Sequence, residues 1–85
     1  MSKVALVTGA TRGIGKQIAL TLSKQGYDIV VNYRKECDEL TNLKNEIEQN
    51  NVECLLVKGD VSSFEDCERF VKQAIEKFGK IDVLV

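Results

Sequence analysis

The feature that most constrains this chain is a glycine-rich stretch between a short apolar run and a helical pattern. The four apolar residues at 4–7 predict a strand buried on both faces, as in a parallel sheet. Glycines follow at Gly9, Gly13 and Gly15, and from Ile14 onward apolar residues recur on one helical face. The predicted order is therefore a strand, a glycine-rich turn and the N-terminus of a helix.

A turn of this kind suits phosphate for a physical reason. The first N–H groups of a helix have no partner within the helix, and the helix dipole places partial positive charge there. Glycine lets the backbone turn sharply and lets a pyrophosphate approach the main chain closely. We therefore expect this turn to bind the pyrophosphate of a dinucleotide. The expected contacts are Gly9, Thr11, Arg12, Gly13, Ile14 and Gly15.

The spacing of the glycines separates this turn from other phosphate loops. The Gly-x-Gly-x-x-Gly fingerprint has its narrow gap first, whereas here the wide gap comes first, between Gly9 and Gly13. A Walker loop has four residues between its glycines, followed by Lys and Ser or Thr, but here Lys16 is followed by Gln17. The spacing disfavours a P-loop nucleotide hydrolase. It leaves a tight strand–helix turn that binds nothing as the plain alternative.

Composition excludes several classes of function. The chain has 85 residues and a net charge of −1, and its charges are interspersed, so one domain without an electrostatic footprint for nucleic acid is expected. No apolar run reaches the length of a membrane span, and residues 1–3 lead directly into the first strand, so neither a membrane partner nor a signal peptide is expected. The 3 cysteines and the absence of histidine predict reduced thiols in a cytoplasmic protein, without a disulfide framework, a zinc site or a histidine-based triad.

Apolar and amphipathic segments alternate along the rest of the chain. The first helix is predicted over 14–25 and is followed by a strand over 28–33. The second helix is predicted over 36–49 and is followed by a strand over 52–58. A third helix leads to a last apolar strand over 81–85.

The third helix has the strongest periodicity in the chain. Ser62 and Glu65 are predicted to form its capping box and Gly79 to end it, as Gly26 ends the first helix in a left-handed conformation. Apolar residues recur at i, i+3, i+4, i+7, i+8 and i+11, and all of them are expected in the core. They are Cys67, Phe70, Val71, Ala74, Ile75 and Phe78.

The βαβαβαβ order predicts an α/β fold, the N-terminal part of a Rossmann-type doubly wound parallel sheet. Right-handed crossovers would place helices on both faces, and the strands would lie in the order 3-2-1-4. Residues 1–85 would form one incomplete dinucleotide-binding domain. A ligand would then lie past the carboxyl ends of the first three strands.

The end of the second strand carries cations where an NAD enzyme of this fold would carry an acid. That acid, about 20 residues after the glycine turn, binds the ribose 2′-hydroxyl. Here residues 32–35 read Asn-Tyr-Arg-Lys, and the first acid is Glu36. Arg34 offers a planar fork of donors that suits a 2′-phosphate, and Arg12 would point into the same region. The two arginines favour NADP(H) over NAD(H), and an ordinary solvated charge at a strand end is the alternative for Arg34.

The motifs together resemble the short-chain dehydrogenase/reductase family. Residues 8–15 match its Thr-Gly-x-x-x-Gly-x-Gly pattern, and residues 59–62 and 79–85 are also typical of it. The resemblance covers residues 4–85. Residues 30–34, with the glycine turn, most resemble those of bacterial 3-oxoacyl-acyl-carrier-protein reductases, although related sugar and alcohol dehydrogenases share these motifs.

The resemblance implies hydride transfer from a nicotinamide to a carbonyl carbon. It implies NADPH-dependent reduction of a 3-oxoacyl thioester on acyl carrier protein, in fatty acid biosynthesis, by a homo-oligomer. It also implies that Asp60 accepts a hydrogen bond from the adenine amino group and that the N–H of Val61 reads the ring edge. The alternative for Asp60 is an acid at a helix entrance near Ser62.

The catalytic serine and the Tyr-x-x-x-Lys motif of the family have no match in this sequence. Tyr27 is followed four residues later by Val31, and Tyr33 by Cys37, so no catalytic residue is assigned. We expect the chain to be the N-terminal portion of such an enzyme, with residues 81–85 as an unpaired apolar edge. A non-catalytic nucleotide-binding module, or a dehydrogenase of another carbonyl or alcohol, are the alternatives.

Overall fold

The computed structural model describes residues 3–10 and 13–85. The strands are β1 (Val4–Thr8), β2 (Asp28–Tyr33), β3 (Cys54–Lys58) and β4 (Val83–Leu84). The helices are α1 (Gly13–Lys24), α2 (Asp38–Glu48) and α3 (Phe64–Phe78). Within the described residues, no helix combines the length and the apolar character that crossing a membrane requires.

The strands form one parallel sheet in the order β3-β2-β1-β4, which confirms the predicted topology. In the register, Leu6 of β1 lies beside Val30 of β2 and Leu84 of β4, and Val30 lies beside Leu55 of β3. Parallel neighbours need a crossover between them, and the three helices supply these crossovers. The chain is therefore a Rossmann-type α/β unit.

Both faces of the sheet are covered, which explains why its strands are continuously apolar. Successive residues of a strand point to opposite faces, so Ala5 and Val7 face one side while Val4 and Leu6 face the other. On the first side, residues of α1 and α2 close the core: Ala19, Leu40, Leu43 and Ile47. On the second side, α3 closes it with Phe70 and Ala74.

The structure corrects the predicted core face of α3. Phe70 and Ala74, one turn apart, are buried, whereas Ile75 is 47% exposed. The next residue of a helix is turned by about 100° from its predecessor, so Ile75 leaves the face that Ala74 presents to the sheet. The other predicted core residues of α3 are only partly buried: Cys67, Val71 and Phe78.

The predicted capping box of α3 is wrong by one residue. Ser63 is the N-cap, and its side chain accepts a hydrogen bond from the backbone N–H of Asp66 at 3.3 Å. Ser62 instead donates its hydroxyl to Asp60 at 2.7 Å, because the turn before the helix brings that carboxylate within reach. The predicted helix ends are confirmed, since Gly26 and Gly79 have φ values of 93° and 82°.

Several element boundaries also differ from the prediction, and α1 runs over Gly13–Lys24 rather than 14–25. Helix α2 begins at Asp38 rather than Glu36, and β3 begins at Cys54 rather than Val52. Strand β4 comprises only Val83–Leu84. It lies at an edge of the sheet and pairs with β1 alone.

Candidate functional site

An open groove of about 970 Å³ lies at the carboxyl ends of the first three strands. It brings together three of the regions that the sequence predicts to bind the ligand, at Gly9, Arg34 and Val61. The remaining lining residues come from the ends of β1 and β2 and the segment after β2: Thr8, Asn32, Tyr33, Lys35, Glu36 and Cys37. The sheet topology thus brings together Gly9, Arg34 and Val61, which are 25 and 27 positions apart in the chain.

Two glycines of the turn after β1 are required by backbone conformation. Gly9 and Gly13 both have a φ of +61°, in the left-handed region that other residues rarely adopt. A Cβ at either position would have no heavy atom within 4 Å. Each glycine is therefore explained by its dihedral angle, and the space beside it is open.

Gly15 is required by close packing. A Cβ at this position would overlap the carbonyl oxygen of Gly9 and lie 3.2 Å from Cα of Ala10. Ala10 is fully buried under the start of α1. The third glycine thus lets the helix lie directly against the turn that it leaves.

The start of α1 differs from the starts of the other two helices. Helix α2 has Asp38 and Glu39 in its first turn, and α3 has Glu65 and Asp66, whereas the first turn of α1 carries no acidic residue. The positive end of the α1 dipole therefore has no carboxylate of its own to balance it. The side chain of Ile14 there is 81% exposed, so the helix start is accessible. Thr11 and Arg12, also predicted to bind the ligand, lie outside the described residues.

Arg34 and Asp60, which the sequence assigned to separate contacts, form an ion pair. Arg34 Nη2 lies 3.5 Å from Asp60 Oδ2, and the two side chains are 73% and 37% exposed. Asp60 Oδ1 accepts hydrogen bonds from the backbone N–H of Ser62 at 2.9 Å and from its hydroxyl at 2.7 Å. These bonds, and secondarily Arg34, hold the pKa of the Asp60 carboxyl below its ordinary range.

A second set of contacts, which the sequence analysis missed, fixes the backbone at Asp60. The Asp60 N–H donates to Asp66 Oδ2 at 2.9 Å, and Arg69 Nη1 donates to the other oxygen of Asp66 at 3.2 Å. Arg69 Nη2 also donates to the carbonyl of Lys58 at 2.6 Å. The available signal was the spacing of Ser63 and Asp66, an acid three residues after a possible N-cap.

Asn32 is a further residue that the sequence analysis did not single out. It is 2% exposed and donates its side-chain amide to the carbonyls of Val57 and Gly59, at 3.3 and 3.2 Å. These bonds tie the end of β2 to the end of β3. A polar residue within the apolar run of β2 was the signal in the sequence.

The three cysteines differ in burial. Burial raises the pKa of Cys54 to about 12, so this thiol stays protonated at neutral pH. Cys37 is exposed and Cys67 partly buried, and neither forms a disulfide. Within residues 3–10 and 13–85, no group of cysteines and acids is placed to hold a metal ion.

Comparisons with known proteins agree with the fold of the chain. The family model described as short chain dehydrogenase matches residues 3–85. The chain is 40% identical over 85 residues to a 3-oxoacyl-[acyl-carrier-protein] reductase, FabG, of Staphylococcus epidermidis, covering 100% of this chain and 35% of that relative. It is 42% identical over 83 residues to the uncharacterized oxidoreductase YhdF of Bacillus subtilis, covering 98% of this chain and 29% of that relative.

Solved structures share the fold. An alcohol dehydrogenase from the archaeon Thermococcus sibiricus, complexed with 5-hydroxy-NADP, superposes with a TM-score of 0.88 at 39% identity. The superposition covers 99% of this chain and 36% of that one. The chain thus spans about a third of the length of the relatives that it matches.

Proposed function

Because the chain belongs to the short-chain dehydrogenase family, we propose that it forms the adenosine- and pyrophosphate-binding part of an NADPH-dependent reductase of 3-oxoacyl thioesters. When bound, the nicotinamide would supply hydride to a carbonyl carbon. The residues of this chain would bind and orient the other half of the cofactor. The observation that carries the proposal is the acid-free start of α1, packed by Gly15 against a turn that opens into the groove.

The pyrophosphate would lie on the N–H groups at the start of α1. The positive φ of Gly9 and Gly13 and the open space at both positions support this placement. Anions are favoured at a helix N-terminus by the unpaired N–H groups and by the dipole. In the same proposal, Thr11, Arg12 and Ile14 complete the contacts of the turn.

Arg34 would bind the 2′-phosphate, and Asp60 with Val61 would bind the adenine. All three side chains reach the carboxyl edge of the sheet, where Arg34 and Asp60 are already in contact. The groove contains one acid from the segment after β2, Glu36, and β2 itself ends without one. A cation rather than a carboxylate at this point supports NADPH over NADH.

The relatives of this chain support two substrate classes. The FabG relative supports a 3-oxoacyl thioester carried by acyl carrier protein, and with it a role in fatty acid biosynthesis. The alcohol dehydrogenase supports a second candidate, a dehydrogenase of another carbonyl or alcohol. Assays of the full-length protein with a 3-oxoacyl thioester and with simple ketones would separate the two.

We further propose that residues 1–85 are the N-terminal part of a longer, homo-oligomeric enzyme of the cytoplasm, the compartment that its free thiols favour. The catalytic serine, tyrosine and lysine would follow in the polypeptide. Downstream sequence continuing with Asn-Asn-Ala-Gly and later Tyr-x-x-x-Lys would support this. A stop codon directly after Val85 would support a non-catalytic nucleotide-binding module instead.

The outer edge of β4 allows a physical test of the proposal that residues 1–85 belong to a longer enzyme. Leu84 and Val85 are 70% and 42% exposed there, an apolar edge that favours association. We expect the 85-residue chain alone to be marginally stable or to self-associate. A cooperative melt of a monomer, established by calorimetry with analytical ultracentrifugation, would contradict this expectation.

The cofactor assignment is tested by replacing Arg34 with Ala in the full-length protein. Loss of a charged hydrogen bond should weaken NADPH binding by about 1–3 kcal/mol and leave NADH binding nearly unchanged. Lys35→Ala is the matched control, since it removes the neighbouring exposed cation. Equal losses for both cofactors would remove Arg34 from the 2′-phosphate.

A further inference from the structure

We propose that Asp60 sets the preference between NADPH and NADH, as the resident counter-ion of Arg34. The inference rests on the proposed nicotinamide-nucleotide function and assigns to Asp60 a role separate from its expected contact with adenine. The observation behind it is the ion pair of these two residues at the edge of the groove, with 3.5 Å between Arg34 Nη2 and Asp60 Oδ2.

The carboxylate is the fixed member of this pair. One of its oxygens accepts two hydrogen bonds from Ser62, while the other faces Arg34. The backbone N–H of Asp60 is held by Asp66, which is itself bound by Arg69. Arg34 is 73% exposed and has a long, flexible side chain, so it is the member that can change partner.

The two cofactors make different demands on this arrangement. A 2′-phosphate carries roughly 1.5 to 2 negative charges at neutral pH. It must draw Arg34 away from Asp60 or share it, and the fixed carboxylate repels the phosphate. The 2′-hydroxyl of NADH makes no such demand, so Arg34 keeps its partner. Asp60 therefore weakens NADPH binding relative to NADH binding.

An adenine contact of Asp60 would act differently, because both cofactors contain the same adenine. Its loss would weaken NADPH and NADH by the same factor and leave the ratio of their dissociation constants unchanged. The ratio is therefore the quantity that isolates the counter-ion role.

The test is Asp60→Asn in the full-length protein, with dissociation constants for NADPH and NADH from fluorescence titration at low ionic strength. Asparagine keeps an oxygen that can accept the hydrogen bonds from Ser62, so the turn is retained. We expect the preference for NADPH to rise roughly two- to five-fold, the size of one exposed ion pair, and the gain to shrink in high salt. Adenosine 2′,5′-bisphosphate and 5′-AMP should show the same change without the nicotinamide.

Two further variants sharpen the result. Glu76→Gln removes an exposed acid of α3 that does not line the groove, and it should leave the ratio nearly unchanged. In an Arg34→Ala background, Asp60→Asn should lose most of its effect on the ratio, since the two residues act as a pair.

The outcomes are distinct. Equal weakening of both cofactors by Asp60→Asn, or an equal shift of the ratio by Glu76→Gln, would overturn the counter-ion role while leaving the proposed function in place. Failure of the wild-type protein to bind either cofactor would overturn the proposed function, and this inference with it.

Discussion

The turns after β1 and after β3 lie at the same edge of the sheet but are built in opposite ways. The turn at Gly9–Gly15 depends on missing side chains: two residues need positive φ and the third has no room for a Cβ. The turn at Gly59–Ser63 depends on side chains that bond to its own backbone. Asp66 accepts from the N–H of Asp60, and Asp60 accepts from the N–H of Ser62.

The difference explains which turn suits an anion. At the entrance of α3, the protein's own carboxylates already bind backbone N–H groups, and Glu65 and Asp66 lie in the first helical turn. At the start of α1 there is no acid in the first turn. A phosphate at α3 would meet like charges, whereas at α1 it would meet the positive end of a helix dipole.

The largest expected effect comes from a substitution in the turn after β1, where the constraint is steric. The new Cβ of Gly15→Ala overlaps backbone atoms of Gly9, and packing strain of this kind costs about 1–3 kcal/mol or more. Ala gains about 1 kcal/mol in helix propensity, so the full-length protein should lose about 2 kcal/mol of stability, because backbone neighbours yield least. Urea denaturation measures the change.

Gly59→Ala in the other turn is the control. There a Cβ would lie 3.1 Å from the guanidinium of Arg69, 3.2 Å from Cβ of Asp66 and 3.3 Å from Cδ2 of Phe70. These three contacts are tight, but all are with side chains and none overlaps backbone as at Gly15, so a smaller cost of about 1 kcal/mol is expected. A larger cost for Gly59→Ala than for Gly15→Ala would overturn the contrast between the turns.

A smaller effect is expected from the N-cap of α3. Ser63→Ala removes the acceptor of the Asp66 N–H and should cost about 1 kcal/mol, typical for a lost N-cap. Ser62→Ala, at the adjacent position, removes only an exposed bond to Asp60 and should cost less. If thermal melts rank these variants in the reverse order, the capping box at Ser62 would have been the better prediction.

The smallest expected effect is a pH dependence of the turn after β3, which contains Asp60, without one in the turn after β1. The pKa of Asp60 is lowered in the fold, chiefly by hydrogen bonds from Ser62. The stability that the ionised carboxylate contributes to the fold is therefore complete above the ordinary pKa range of aspartate. The contribution is lost as the pH falls through the lowered pKa. In NMR titrations the amide proton of Ser62 should move in acid, while that of Gly15 stays in place. A matching shift at Gly15 would show that the turns are coupled.

The topology and the glycines of the turn after β1 could be predicted from the sequence. The side-chain contacts of the turn after β3 could not. Alternating apolar segments predict the strand order, and Gly9, Gly13 and Gly15 each answer to a backbone constraint that the spacing of glycines indicates. Side-chain partners were harder: Ser62 and Ser63 are adjacent and chemically alike, so the pattern could not show which one caps α3. The Arg34–Asp60 pair joins two strand ends 26 positions apart, and only the folded sheet brings them together.

The most direct measurement is a crystal structure of the full-length protein with NADPH. Electron density for the pyrophosphate is predicted on the N–H groups of residues 13–15, at the start of α1, with the 2′-phosphate beside Arg34. Pyrophosphate density at the entrance of α3, or anywhere away from the turn after β1, would contradict the account.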